Sequence, residues 1–106
     1  MLNELTMKML DKPSLYAPYC VVCKRPATNK HHVIIKGMGG MKKDLLRRVP
    51  TLTLCGMGNT SGCHREAHQM RLHFRYEDGW EYLRLNEPTD YATALGMEGW
   101  VRISGF

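Results

Sequence analysis

Apolar and polar positions along the chain change period several times, and each change marks a predicted element. The N-terminal stretch 2–10 has apolar residues at helical spacing on roughly one face: Leu2, Leu5, Met9 and Leu10. Pro13 and Pro18 follow and should end this helix. The sequence therefore predicts a short amphipathic helix that leads into an irregular segment.

The middle of the chain has the pattern strand, loop, strand, helix. The runs "HHVII" (31–35) and "VPTLTLC" (49–55) are rich in β-branched residues and predict strands. Between them, residues 36–48 form a basic loop with several glycines. The segment "CHREAHQM" (63–70) contains no helix breaker and predicts a helix. Three preceding residues can cap it: Asn59, Thr60 or Ser61.

The C-terminal third predicts a hairpin, a short helix and a last strand. Along residues 71–85, Leu72, Phe74 and Tyr76 alternate with His73 and Arg75, and a Glu-Asp-Gly turn follows. Residues 88–97 predict a short helix, and "GWVRI" (99–103) predicts a final strand. Two residues can cap this helix: Thr89 or Asp90. The large aromatic side chains are expected in the core: Trp80, Tyr82 and Trp100.

Length and charge narrow the class of protein. A chain of 106 residues, 43% hydrophobic, predicts one small α+β domain with a modest core. Fifteen Lys and Arg against ten Asp and Glu give a net charge of +5, which favours a polyanionic partner, although charge alone is equally consistent with an ordinary solvated basic surface. No targeting or membrane-spanning stretch is found, so a cytoplasmic location is expected, where cysteines stay reduced unless a metal binds them.

Four cysteines occur in two pairs. Cys20 and Cys23 form a tight C-x-x-C knuckle, whereas seven residues separate Cys55 from Cys63. Thiolates suit Zn²⁺, and a small domain gains stability from a metal, so the two pairs predict one tetrahedral structural zinc site. Two alternatives remain: some are free buried cysteines, or a nearby histidine replaces Cys63 as the fourth ligand.

Four of the five histidines are arranged in two pairs. His31 and His32 are adjacent on a predicted strand, so their rings point to opposite faces and are expected to have different tasks. His64 and His68 are four residues apart on the predicted helix, a spacing that suits one shared metal ion but also occurs by chance. A strand–strand–helix unit would bring the two pairs together.

The segments "CVVCKRPATNKHHVI" and "LTLCGMGNTSGCHREAH" together resemble the phage-type, four-cysteine group of HNH endonucleases. The resemblance covers roughly residues 18–70 and combines the knuckle, the histidine doublet and the Cys-His-x-x-x-His helix. It implies a ββα-metal (His-Me finger) domain spanning 1–106, stapled by zinc, with an N-terminal helix and a C-terminal hairpin within the extension 71–106. It also implies metal-dependent hydrolysis of DNA phosphodiester bonds.

The resemblance implies a role for each motif residue by its position. His32 corresponds to the general base, and His31, His64 and His68 correspond to the ligands of one catalytic ion, which is Mg²⁺, Mn²⁺, Ni²⁺ or Zn²⁺. The structural zinc ligands would be Cys20, Cys23, Cys55 and Cys63. Six basic residues are expected to contact the DNA backbone: Lys36, Lys42, Lys43, Arg47, Arg48 and Arg65. His73 and Arg75 are weaker candidates.

One position departs from the family pattern. The family usually has an Asn at the start of the second strand, where it helps to orient the general base, but this chain has Val49, Pro50 and Thr51 there. A backbone carbonyl near Pro50 or Thr51 is the favoured substitute, and Asn59 is the other candidate.

Two other functions compete with the nuclease. The missing Asn favours a non-catalytic, zinc-finger-like DNA-binding module, and the resemblance also allows an accessory protein of a phage packaging or recombination machine. The intact doublet together with both helix histidines favours the enzyme, because a scaffold has no use for His32. The sequence leaves the oligomeric state open.

Overall fold

The structure is a computed structural model, and it describes residues 4–27, 29–33, 45, 47–57 and 60–104. In these ranges the order of elements is α1 (Glu4–Met9), β1 (Asn29–His32), β2 (Thr51–Leu54), α2 (Gly62–His68), β3 (Leu72–Tyr76), β4 (Trp80–Arg84), α3 (Tyr91–Leu95) and β5 (Val101–Arg102). The radius of gyration is 12.9 Å, as expected for a compact chain of this length.

The strands form two antiparallel sheets, which confirms the α+β class. β1 pairs with β2, so that His31 lies opposite Leu52 and His32 lies opposite Thr51. β3, β4 and β5 form the second sheet in chain order, and β3–β4 is the predicted hairpin. Among the described helices, none is long and apolar enough to cross a membrane.

The first strand begins earlier than the β-branched run predicts. It begins at Asn29 and ends at His32, and Val33 is already outside it. The polar residues Asn29 and Lys30 are exposed but pair with Leu54 and Thr53, so the backbone ladder fixes the strand here rather than side-chain propensity. Residues 34 and 35 of the predicted strand lie outside the described residues.

The core is built around β2, all four residues of which are buried. β1 covers one edge of this strand, and Leu15 forms a parallel bridge to Leu52 at the other. Leu52 and Leu54 are fully inaccessible to solvent, and the buried faces of α1 and of the hairpin pack around them. Most of the stability supplied by apolar burial therefore lies directly behind the His31–His32 strand.

Two helix ends differ from the prediction. Ser61 occupies the N-cap position of α2, but its hydroxyl accepts a hydrogen bond from the Met57 amide instead of capping the helix. The helix ends at His68, two residues early, because Met70 adopts a positive φ of 59° that no helix continues. α3 has the predicted cap, since Asp90 accepts from the Thr93 amide at 3.1 Å.

More side chains of the second sheet are buried than a strict alternation of apolar and polar residues predicts. Leu72 and Phe74 are buried, but so is His73, because the ring of Tyr91 on α3 covers that face at 6.0 Å. Trp80 lies in the core as predicted, whereas Trp100 is only partly buried. Two-sided burial explains why the alternation failed at His73.

Replacing Trp80 with Phe should destabilise the fold. Its indole Nε1 donates to the Pro13 carbonyl at 2.6 Å and thereby joins β4 to the N-terminal segment. Loss of this hydrogen bond leaves a carbonyl without its donor, and the smaller ring leaves a void. We expect the free energy of unfolding in urea to fall by about 2–3 kcal/mol. Trp100→Phe is the matched control, because its Nε1 makes a weaker 3.3 Å contact near the surface, and equal losses would contradict the prediction.

Candidate functional site

The Cys20–Cys23 knuckle is a tight turn held by backbone hydrogen bonds. The Cys20 amide donates to the Arg25 carbonyl at 2.7 Å, and the Lys24 amide donates back to Cys20 at 3.0 Å. Lys24 has a φ of 68°, the left-handed conformation that such a reversal needs. The turn places both thiols of the knuckle on the same side of the chain.

Two glycines close the longer loop that joins Cys55 to Cys63. Gly56 and Gly62 have φ values of 87° and 68°, and a Cβ on either would collide with backbone of the other side of the loop. The start of the loop is also held from outside, because the side-chain Nδ2 of Asn29 donates to the Gly56 carbonyl. Close contact between the glycines brings the two ends together, so a spacing of seven residues is no obstacle to a shared site.

All four cysteine sulfurs form one cluster. Their Sγ atoms lie within 4.8 Å of one another, and Cys23 and Cys55 are 3.4 Å apart. Tetrahedral coordination at a Zn–S distance of about 2.3 Å separates sulfurs by about 3.8 Å, so the donor set fits zinc. The cluster is compatible with a structural metal ion, and its fourth member is Cys63 rather than a histidine.

Hydrogen bonding within the cluster separates the acidities of its thiols. The Cys63 thiol donates to Cys20 and lowers the pKa of Cys20 to about 4, while the same contact raises the pKa of Cys63. Arg84 at the end of β4 donates to the Cys63 sulfur at 3.2 Å. A thiolate is the form of cysteine that binds a metal cation, and Arg84 can offset part of the negative charge that several thiolates bring together.

His31, His64 and His68 form a second cluster about one end of α2. One ring nitrogen from each lies within 4.8 Å of the others, and the ring centroids are 4.8–5.6 Å apart. Burial, with the neighbouring His64, lowers the pKa of His31 to about 3, so this ring is neutral at physiological pH. Neutral imidazole is the form that binds metal, and the three nitrogens fit one divalent ion with open positions.

The histidine cluster opens into a cleft of about 570 Å³ that His32 also borders. His31 is partly buried against Phe74, whereas His32 is exposed, as expected of adjacent residues on a strand. The two rings therefore differ in environment, although both residues border the same cleft.

The two clusters are mechanically connected. Cys63 and His64 are consecutive in α2, and the His64 amide donates to the Cys55 carbonyl at 2.9 Å. The Cys63 amide points at the Cys55 sulfur, 3.3 Å away. A metal held by the cysteines would thus fix the first turn of α2 and, with it, His64.

The six predicted DNA contacts are distributed unevenly. Arg47 is exposed, and Arg65 is partly buried on α2 between the two helix histidines. Arg48 is exposed but forms a two-pronged ion pair with Asp11, which offsets much of its charge. The other three lie outside the described residues: Lys36, Lys42 and Lys43.

The two weaker candidates already have partners. His73 is 7% exposed, and its Nε2 contacts the Met70 carbonyl at 2.9 Å. Arg75 forms an ion pair with Glu81 at 2.7 Å, and its guanidinium lies over the Trp100 ring. Both side chains are held by the protein itself.

Lys30 is a candidate that the sequence analysis missed. It is exposed, lies two residues before His32 on β1 and therefore shares its face, and borders the same cleft. Among the described residues that line the cleft, it is the only lysine or arginine. Its Nζ lies 4.8 Å from the centre of the Tyr16 ring, which holds the chain along the strand. Period-two spacing from His32 was the signal that could have identified it.

The carbonyls considered as substitutes for the missing Asn are already bonded. Pro50 accepts from the Val33 amide at 2.9 Å, and Thr51 accepts from the Leu15 amide at 3.0 Å. Thr51, opposite His32, uses its hydroxyl to donate to the Tyr16 oxygen at 2.6 Å. Asn59 lies outside the described residues. Each carbonyl retains a second lone pair, so the backbone substitution stays a prediction.

Comparison of the chain with protein-family models, curated proteins and solved structures finds no match in any of the three.

Replacing Cys23 with Ser should abolish tight zinc binding and destabilise the domain. Three thiolates cannot complete the tetrahedral set, and the binding energy of a structural zinc contributes directly to folding. We expect elemental analysis to show that one tightly bound zinc per chain is lost. Circular dichroism should show that the cooperative thermal unfolding transition is lost as well. Ser104→Ala in the same region is the control, and retention of stoichiometric zinc by Cys23→Ser would contradict the four-cysteine site.

Replacing Arg84 with Met should weaken the zinc site without removing a ligand. Four thiolates around Zn²⁺ carry a net charge of −2, and Arg84 offsets part of it at Cys63. We expect zinc affinity in chelator competition to fall about 10-fold or more, as for other changes next to metal ligands. Arg102→Met is the matched control, because Arg102 contacts Glu81 on the neighbouring strand, and an equal loss there would overturn the assignment.

Proposed function

We propose that this protein is a metal-dependent endonuclease of the HNH type, built on a ββα-metal core. The observation that carries the proposal is the cluster of His31, His64 and His68 beside a cleft that His32 borders. β1, β2 and α2 supply the two strands and the helix of the core. We assign the role of the structural zinc site to the four-cysteine cluster, whose sulfurs lie within 4.8 Å of one another.

The chemistry assigned to the site follows from the charge that develops in phosphodiester hydrolysis. A divalent ion at the three imidazoles would act as a Lewis acid toward the phosphate, at a non-bridging oxygen and at the leaving oxygen. His31, His64 and His68 each offer one ring nitrogen to that position, within 4.8 Å of one another. Exposed His32 accepts the proton of the attacking water, a role worth about 10²- to 10⁴-fold in rate.

A DNA backbone is the proposed substrate because the charges favour a polyanion. The chain carries a net charge of +5, and the exposed residue Lys30 is among those that line the cleft. Arg65 and Arg47 supply further positive charge within the described residues. These contacts are independent of base identity, so they position the phosphate without reading sequence.

Replacing His32 with Ala should abolish cleavage while sparing both metals. We expect nicking of supercoiled plasmid in Mg²⁺, Mn²⁺ or Ni²⁺ to fall at least 10²-fold, because the proton acceptor is lost. Zinc content and affinity for the second ion should not change, since His32 lies outside the ligand cluster.

His64→Ala is the matched variant, and it should lose both cleavage and the second ion. Absence of nicking by the unaltered protein with every metal, or equal nicking by His32→Ala, would overturn the nuclease. DNA binding with one tightly held zinc and no second ion would instead support the non-catalytic DNA-binding module.

Replacing Lys30 with Met should weaken cleavage through loss of a phosphate contact. One ammonium at the cleft is expected to be worth about 1.5–3 kcal/mol as a charge-assisted hydrogen bond, or roughly 10- to 150-fold in kcat/KM. The slope of log kcat/KM against log salt should also decrease by about one. Lys24→Met, on the exposed knuckle, is the control, and an effect of equal size there would rule out a specific role for Lys30.

A further inference from the structure

We propose that the cleft beside the three-histidine cluster is a nucleoside-binding subsite, which takes the base and sugar next to the scissile phosphate. This inference rests on the proposed function for the position of the phosphate. The subsite itself rests on lining residues outside the HNH-like motifs, namely Met70, Leu72, Phe74, Asp90 and Tyr91. The sequence predicted no functional role for these residues.

Groups of opposite charge line the cleft. Lys30 and the three imidazoles suit a phosphate, whereas Asp90 carries a carboxylate. Asp90 accepts from the Thr93 amide and hydroxyl, which fixes the carboxylate in place and leaves it further lone pairs. The phosphate of a bound nucleotide is therefore expected beside the imidazoles rather than beside Asp90, whose carboxylate repels it.

Apolar and aromatic side chains form another part of the lining. Tyr91 borders the cleft, and its hydroxyl donates to the Phe74 carbonyl at 2.8 Å, so the ring is held in one orientation. Met70 and Leu72 complete an apolar surface next to it. A rigid ring beside a polarizable thioether is a suitable platform for a flat, uncharged base.

The size of the cleft matches one nucleoside rather than a duplex. Its volume of about 570 Å³ lies within the range of about 300–1,000 Å³ found for small-molecule sites. A base reaches such a wall only when it is unstacked and unpaired. The subsite therefore selects single-stranded or locally unpaired DNA.

The direct test compares two probes on the zinc-loaded protein by amide NMR titration. Deoxyadenosine 5′-monophosphate carries a base, whereas deoxyribose 5-phosphate does not. We expect the nucleotide to bind at least about 5-fold more tightly and to shift the amides of residues 70–74 and 90–92, as stacking on an aromatic wall requires. Equal affinities, or shifts confined to the histidine cluster, would overturn the subsite.

Variants at two positions test the base contact and the phosphate contact separately. Tyr91→Leu should weaken binding of the nucleotide by about 5-fold or more and leave the sugar phosphate unaffected, while Tyr91→Phe retains both. Lys30→Met should weaken both probes equally. Unchanged sugar-phosphate binding also reports that Tyr91→Leu is folded. A loss that Tyr91→Phe shares would overturn the stacking role.

A last measurement tests the selection of unpaired DNA. In fluorescence anisotropy, Tyr91→Leu should lower affinity for a labelled single strand but not for the duplex of the same sequence, and equal losses would overturn the selection. Nucleotide binding at this wall without DNA cleavage by any metal-loaded form would retain the subsite and reject the nuclease. Cleavage without base-dependent binding would retain the nuclease and reject the subsite.

Discussion

The hydrogen bond from the His64 amide to the Cys55 carbonyl, 2.9 Å long, is the contact on which both clusters depend. It exists because Gly56 and Gly62 let the two ends of the loop meet at a distance that excludes a Cβ. Through it, the first turn of α2 is fixed to the end of β2, so a metal held by the cysteines also fixes the position of a histidine in the other cluster. Structural and candidate catalytic chemistry thus share one piece of backbone.

The pairing of β1 with β2 explains how adjacent histidines come to differ. His31 lies opposite Leu52, next to the core, and burial lowers its pKa to about 3. His32 lies opposite Thr51 and is exposed. A ring kept neutral by burial is suited to binding a cation, and a solvated ring is suited to proton exchange. A slip of one residue in this ladder would exchange the two environments.

The sequence was sufficient to predict those features that depend on a single local rule. The knuckle, the i, i+4 histidines, the hairpin and the Asp90 cap each follow from a spacing or a single side chain, and the structure has all four. It failed where distant groups decide: His73 is buried by the ring of Tyr91, and β1 begins at Asn29 because β2 supplies its hydrogen bonds. Lys30 was overlooked because its value lies in sharing a face with His32, which only the true strand boundaries show.

The cysteine cluster and the C-terminal hairpin depend on each other through Arg84. Its position at the end of β4 puts one guanidinium 3.2 Å from Cys63, so the hairpin supplies a charge that the thiolate cluster needs. The same hairpin carries Phe74 and, through α3, Tyr91 to the wall of the cleft. A segment outside the metal-binding motifs therefore supports the zinc site on one side and shapes the cleft on the other.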